Sequence, residues 1–179
     1  SNCLLKTLEE PTNGVFILIT SRLNLLLDTI ISRCQTIRFK PYSNQELKQF
    51  IDQSKYENTD LYSDNELLEN LIFISNGSPG KLLDNIEVWN QISENIKHAI
   101  KLPLKNYKDI LFLAKNISSD LDLDQQELLL NYMQRDWWRK TKNKKFANIL
   151  ENIKNNINSN VQPRISWEVG LLEIKLENS

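Results

Sequence analysis

The chain has 179 residues, of which 40% are hydrophobic and 25% charged, and its formal net charge is −1 because 22 Lys and Arg residues oppose 23 Asp and Glu residues. This composition is typical of a folded globular protein with room for one ordinary domain or two small ones, and it excludes an intrinsically disordered chain. The balanced charge offers no global electrostatic argument for binding nucleic acid. No apolar run approaches the roughly 20 residues that a membrane helix needs, so we expect no membrane contact.

The first 40 residues carry the pattern of an α/β protein. Pro11 ends a first helix at Glu10, since proline disfavours helical geometry in the residue before it. The run Val15–Ile19 lacks polar alternation, which predicts a strand covered on both faces in a parallel sheet. Thr20 follows it at the carboxyl edge, where α/β proteins place their ligands. Residues 36–39 alternate between polar and apolar and predict an edge strand.

Three segments follow one another in this region: Leu4-Leu5-Lys6-Thr7-Leu8-Glu9-Glu10-Pro11, the predicted strand, and Ser32-Arg33-Cys34. Their order resembles the clamp-loader branch of the AAA+ ATPases. The resemblance implies that residues 1–40 are the last part of an AAA+ core, with Thr20 at the sensor 1 position. It further implies that Arg33 is an arginine finger, which reaches the ATP site of a neighbouring subunit. A planar, permanently charged guanidinium suits that role because it stabilises charge on a transferred phosphoryl group.

The chain carries no complete active site in this interpretation. The family's phosphate loop and acidic magnesium-binding motif are not in the sequence, so we expect no cofactor bound by this chain and ATP with magnesium in the neighbouring subunit. Whether the chain counts as an enzyme stays open, since its contribution to ATP hydrolysis would be made in trans. We interpret the chain as a fragment of a longer protein, because it does not begin with Met. Cys3 and Cys34 lack a pairing or zinc-ligand spacing, which favours reduced thiols in the cytoplasm and no metal site.

From Pro41 onward every segment has helical periodicity. Ser43 and Glu46 have the order of a capping box. A second helix begins near Ser63 and ends at a Gly77 or Asn76 cap, with this apolar face: Leu67, Leu68, Leu71 and Ile72. A third helix begins with Ser78 as N-cap and Pro79 at the first helical position. Its apolar stripe predicts one continuous helix through these residues: Leu82, Ile86, Trp89, Ile92, Ile96 and Ile100.

By the same resemblance residues 41–88 are a three-helix lid. The segment Gly77-Ser78-Pro79-Gly80-Lys81 matches the family's sensor 2 segment in place. A helix N-terminus favours anions, so Lys81 is poorly placed there unless an anion offsets it. A solvated lysine is the alternative interpretation. The Gly-Ser-Pro-Gly spelling resembles the delta-prime branch of the family, whereas the gamma/tau branch usually has an arginine in this segment.

Four more helical patterns follow Pro103, and the fourth has its predicted core face at Ile165, Val169, Leu172 and Leu176. The resemblance makes residues 89–179 a helical collar, through which subunits form a ring. The segment Trp137-Trp138-Arg139-Lys140 combines aromatic and basic side chains, which suits nucleic acid. Trp137, however, continues the apolar stripe of its helix, which favours a core residue followed by solvated cations.

We therefore expect an α/β fragment joined to an all-α region: the end of an AAA+ core, a lid and a collar. The resemblance implies a subunit of the bacterial DNA polymerase III clamp loader, acting in DNA replication. Its partners would be the other clamp-loader subunits (gamma/tau and delta), the sliding clamp, and primed DNA through the assembled complex. Two alternatives stay open: a gamma/tau subunit with its own ATPase activity, and a helical adaptor with a vestigial AAA+ core.

Overall fold

The computed structural model describes residues 14–53, 64–104, 106–159 and 161–177. The chain divides between Lys40 and Pro41 into two compact units. The predicted first helix, Cys3 and Ser63 lie outside the described residues. None of the described helices is long and apolar enough to cross a membrane.

The described part of the first unit, residues 14–40, has two short helical turns. A 3₁₀ turn spans Leu23–Leu25, and helix α1 spans Asp28–Ile31. Ile30 is the buried side chain of this stretch.

The two strands predicted for this unit are not formed in the described residues. Residues 15–20 and 35–40 have no regular secondary structure, and the side chains of Val15, Ile19 and Phe39 are more than nine-tenths exposed (91%, 94% and 92%). A strand completes its backbone hydrogen bonds with a neighbouring strand, and the described residues contain none. The prediction of a covered strand is therefore wrong for this structure, and the α/β core is not shown.

The second unit is helical, with no strand in residues 41–177 where they are described. Its helices are α2 (Asn44–Asp52), α3 (Asn65–Ile74), α4 (Pro79–Gln91), α5 (Glu94–Ala99), α6 (Tyr107–Asp120), α7 (Leu123–Thr141), α8 (Lys144–Asn158) and α9 (Pro163–Glu177). Helices α3 and α4 pack on α7, α7 packs on α8, and α9 packs on both α6 and α8. The predicted lid-to-collar boundary at residues 88 and 89 falls inside α4 and stays a prediction.

The starts of α2 and α4 agree with the predicted capping residues, whereas the N-cap of α3 is Asp64 and not the predicted Ser63. The Ser43 backbone N–H donates to Glu46 Oε2 (2.7 Å), and the Glu46 N–H donates to Ser43 Oγ (3.3 Å), which completes the capping box. The hydrogen bonds from Ser43 lower the pKa of Glu46. Ser78 caps α4 by accepting from the Lys81 N–H (3.3 Å), with Pro79 as the first helical residue. The second long helix, α3, is capped by Asp64, whose carboxylate accepts from the Leu67 N–H (3.1 Å).

The long third helix is interrupted where the sequence predicts continuity. Helix α4 ends at Gln91 and α5 begins at Glu94, because Ile92 takes an extended conformation (φ −72°, ψ 132°). Ile92 and Ile96 are nonetheless buried. The apolar spacing continues across the break, so the spacing alone gives no sign of it.

One apolar core runs through the second unit and contains three fully buried aromatic side chains, Trp137, Phe146 and Trp167. Both fully buried indoles have hydrogen-bond acceptors, as a buried N–H requires. The Trp137 Nε1–H donates to the Ile100 carbonyl (3.1 Å) and the Trp167 Nε1–H to Gln126 Oε1 (2.9 Å). The prediction that Trp137 is a core residue is confirmed.

Helix α9 buries a face other than the predicted one. Its core-facing residues include Trp167, Gly170, Leu171 and Ile174, whereas the predicted face is half or more exposed at three positions: Ile165 (51%), Val169 (59%) and Leu176 (64%). Both faces are apolar at helical spacing, so the pattern fits either. The face that contains Gly170 packs closely on α8, because the missing Cβ leaves room for the side chain of Ile153, which a Cβ at this position would overlap.

Candidate functional site

Arg33 lies directly after α1 and is exposed. Its Nη1 donates to the Thr29 carbonyl (2.9 Å), and the Ser32 hydroxyl donates to the same oxygen (3.2 Å). The Cys34 N–H bonds to the Ile31 carbonyl (3.2 Å). The guanidinium therefore rests on the C-terminal end of a short helix, where backbone carbonyls attract a cation. This junction holds the base of the side chain through backbone hydrogen bonds, while its surface stays open to solvent.

Thr20 is exposed and follows residues 15–19. Its hydroxyl accepts a hydrogen bond from the Arg22 N–H (3.0 Å), which stabilises the turn into the 3₁₀ helix. Such local side-chain-to-backbone bonds are a structural role that threonine commonly takes. Thr20 and Arg33 belong to the first unit, and Lys81 belongs to the second.

Lys81 lies in the first turn of α4, behind a tight connection from α3. Asn76 (φ 51°) and Gly77 (φ 78°) are both left-handed there. Glycine is required at position 77, because a Cβ would lie 2.7 Å from the Tyr42 carbonyl oxygen, and the Tyr42 N–H donates to the Gly77 carbonyl (2.9 Å). This turn places the exposed Lys81 side chain at the wall of a cavity between α3, α4, α7 and α8.

The cavity has a volume of about 550 Å³. Its walls carry these side chains: Phe73, Ile74, Asn76, Lys81, Glu127, Asn131, Gln134, Arg135, Trp138, Ala147 and Lys154. Arg135 lies over the ring of Phe73, with its guanidinium carbon 3.7 Å from the ring centroid. Lys154 is paired with Glu127 (3.0 Å) and donates to Asn131 (3.1 Å). Arg135 and Lys154 were not predicted as site residues, because nothing in linear spacing connects them with Lys81.

The basic segment after Trp137 is held by carboxylates of α3. Arg139 pairs with Glu69 (3.2 Å) and donates to Asn70 (3.2 Å). Lys140 donates to the buried Asp136 (2.9 Å) and lies 3.6 Å from Glu66. These pairs satisfy both cations inside the unit, which favours the predicted structural interpretation over contact with nucleic acid.

Asp136 is the centre of that network and is 3% exposed. It also accepts from the Asn70 amide (3.4 Å). Burial lowers the pKa of Lys140, but the hydrogen bond and the charge of Asp136 outweigh it, so the pKa is raised. Burial and then the Asp136 charge raise the pKa of Tyr132. The network stabilises the packing of α3 on α7 and offers no reacting group to solvent. Within the described ranges there is no cluster of three or more His, Cys, Asp or Glu residues that could hold a metal ion.

Helices α6 and α9, which pack on each other, both carry exposed apolar side chains. We call this set the α6/α9 surface, and its members are Tyr107, Leu111, Phe112, Ile165, Val169 and Leu176, all between 42% and 64% exposed. Helix α9 is thus apolar on two faces, one packed inside the unit and one open. A helix that is apolar on two faces typically packs against other surfaces through both of them. Exposed apolar patches mark interaction sites.

Family models match almost the whole chain. Residues 45–174 match the model described as cyanobacterial DNA polymerase III delta prime, C-terminal domain. The chain belongs to this family. Residues 1–43, which contain Thr20 and Arg33, match the model described as DNA polymerase III, delta subunit.

Two curated proteins are similar to parts of the chain, one a delta' subunit and one a gamma subunit. The chain is 57% identical over 42 residues to DNA polymerase III subunit delta' of Bacillus subtilis (strain 168), covering 23% of the chain and 13% of that protein. It is 35% identical over 92 residues to DNA polymerase III subunit gamma of Buchnera aphidicola subsp. Baizongia pistaciae (strain Bp), covering 51% of the chain and 24% of that protein. The matched parts are thus less than a quarter of either relative. No solved structure matches the chain.

Proposed function

We propose that this delta-prime family chain is a structural subunit of a clamp loader, which holds related subunits in a ring and acts on a neighbour's ATP site. The observation that carries the ring role is the open α6/α9 surface. It lies on the region matched by the delta-prime C-terminal model, and its apolar character suits a permanent protein contact. The partners are other clamp-loader subunits, and through them the sliding clamp and primed DNA.

Arg33 is the residue proposed to act in trans as an arginine finger. Its exposure and its position on a short hydrogen-bonded junction support this role, because a finger must reach outward from a fixed base. The bond from its Nη1 to Thr29 is one that the guanidinium would exchange for phosphate oxygens. ATP and magnesium would be held by the neighbouring subunit. Thr20 and Lys81, at the sensor 1 and sensor 2 positions, are proposed as secondary contacts to nucleotide.

The gamma-type ATPase subunit is the second candidate, and the 35% identity to the Buchnera gamma protein favours it. The two candidates differ in the phosphate loop of the full-length protein. An intact G-x-x-x-x-G-K-[ST] sequence would identify the gamma type, and a degraded one the delta-prime type.

The ring role is tested with the double variant Ile165→Glu/Val169→Glu in the full-length protein, mixed with its partner subunits. Both side chains are more than half exposed, so their replacement should change the free energy of unfolding by only about 0.5 kcal/mol each. Two carboxylates in an apolar contact should weaken assembly by at least about 10-fold. Analytical ultracentrifugation measures the assembly, and thermal unfolding confirms the fold.

The matched control is Asn152→Glu/Asn156→Glu, which adds the same two charges, four positions apart, at exposed positions of α8. It should assemble as the wild type does. If the double variant also assembles with wild-type affinity, the α6/α9 surface is not the ring contact.

A further inference from the structure

We infer that the cavity between α3, α4, α7 and α8 binds a small phosphate-bearing ligand through Lys81 and Arg135. This inference concerns the second unit alone, and it rests neither on the arginine finger nor on the α6/α9 surface. It assigns Lys81 to a ligand of this cavity in place of the sensor 2 contact. It also requires no phosphate loop, because the ligand would be held by side chains of four helices.

The shape of the cavity suits a small molecule. Its volume of about 550 Å³ lies within the roughly 300–1,000 Å³ of typical ligand pockets, and its walls combine apolar rings with a few convergent polar groups. Phe73 and Trp138 supply the rings, and Asn131 and Gln134 supply amides. The polar groups come from α7 and the cation of Lys81 from α4, so they reach the space from different sides.

The charge of the cavity selects an anion. Three basic side chains and one carboxylate line the cavity. That carboxylate, Glu127, forms an ion pair with Lys154 (3.0 Å). Across the part of the chain that the structure describes, neither Lys81 nor Arg135 forms an ion pair. The next two cations along α7, Arg139 and Lys140, are both paired.

Arg135 shows the need for an acceptor most directly. Its Nε is buried and has no hydrogen-bond partner within the described residues. A buried donor without an acceptor costs about 1–3 kcal/mol, and more when the group is charged. The contact of the guanidinium with the Phe73 ring restrains the Arg135 side chain and so removes part of the entropic cost of binding.

Phosphate fits this arrangement better than an isolated carboxylate does. Its oxygens can accept from a guanidinium fork and an ammonium group together. The first turn of α4 adds a favourable dipole next to Lys81. Lys81 in the first turn of that helix is unfavourable without an anion, and a bound phosphate removes the conflict.

Pyrophosphate is the probe, titrated into the purified full chain by calorimetry. We expect saturable 1:1 binding with a dissociation constant below about 1 mM. Lys81→Gln should weaken pyrophosphate binding at least about 10-fold, because it removes the ammonium group that pairs with the phosphate. Lys81 is exposed, so its replacement leaves the fold intact. Arg135→Lys keeps the charge but loses the fork, and it should weaken binding to a similar degree.

The matched control is Lys115→Gln, an exposed lysine on α6 away from the cavity, which should bind as the wild type does. Three results would overturn the inference: no saturation by pyrophosphate, an equal loss in the Lys115→Gln variant, or preference for citrate over pyrophosphate. A single-stranded oligonucleotide that binds where pyrophosphate does not would also overturn it, in favour of a nucleic-acid surface. If Arg135→Lys unfolds, the Lys81→Gln titration decides alone.

Discussion

The two units of the chain differ in how far their apolar side chains are buried. In residues 14–40 the buried side chain is Ile30, and apolar residues such as Val15 and Phe39 are more than nine-tenths exposed. In residues 41–177 one continuous core links helices α2 to α9. The proposed finger therefore lies in the unit with few buried side chains, whereas the apolar core lies in the other unit. Substitutions in the two units should separate activity from stability.

The largest effect is expected for Arg33→Ala in the full-length subunit. Loss of a finger that acts in trans costs on the order of 10³-fold or more in phosphoryl transfer. Replacement of an exposed arginine should change the free energy of unfolding by only about 0.5 kcal/mol. The measurement is ATP turnover by the reconstituted loader, stimulated by clamp and DNA, after gel filtration confirms a complete complex.

Two further variants sharpen the Arg33 result. Arg33→Lys keeps the charge but loses the planar fork, so it should recover little activity. Arg38→Ala, at an exposed arginine of the same unit, should retain full turnover. Wild-type turnover in the Arg33→Ala complex would mean that Arg33 is not a finger, and partial loss is expected where other subunits carry their own fingers.

The second effect concerns stability in the other unit. Trp167→Ala removes a fully buried indole and its hydrogen bond to Gln126, so the free energy of unfolding should fall by about 3–5 kcal/mol. Val169→Ala on the exposed face of the same helix should change it by about 0.5 kcal/mol or less. Urea denaturation followed by circular dichroism measures both. Equal losses would show that the two faces of α9 are assigned the wrong way round.

Local rules predicted the starts of α2 and α4 and the end of α3. The Ser43 capping box, the Ser78 cap and the left-handed pair Asn76 and Gly77 depend on residues within four positions of one another. Such signals are complete in a short stretch of sequence. Helical character from residue 41 onward followed from apolar spacing for the same reason.

Features that depend on distant residues could not be predicted in this way. The core face of α9 is chosen by the fit of Gly170 against Ile153, and the cavity joins Lys81 to Arg135, which is 54 positions away in the chain. The break at Ile92 keeps the apolar spacing and so leaves no local sign. The strands of residues 15–19 and 36–39 need neighbouring strands, which the sequence pattern of one segment does not supply.

The smallest effect is a pH dependence at Tyr132, in the well-packed unit. Burial and the Asp136 carboxylate raise the pKa of its hydroxyl above the ordinary value of about 10. Above pH 10 the unfolded chain therefore loses this proton while the folded chain keeps it, so the stabilisation is fully present below pH 10 and is lost as the pH rises above it. Tyr132→Phe removes this contribution, and the difference in unfolding free energy between wild type and variant should be constant from about pH 7 to 9 and shrink above about pH 10.

Urea denaturation at each pH measures this difference, and Tyr107→Phe, at an exposed tyrosine of α6, controls for the general alkaline loss of stability. A difference that stays constant to the highest pH at which the protein folds would contradict the assignment of Tyr132 as the group whose proton the fold retains.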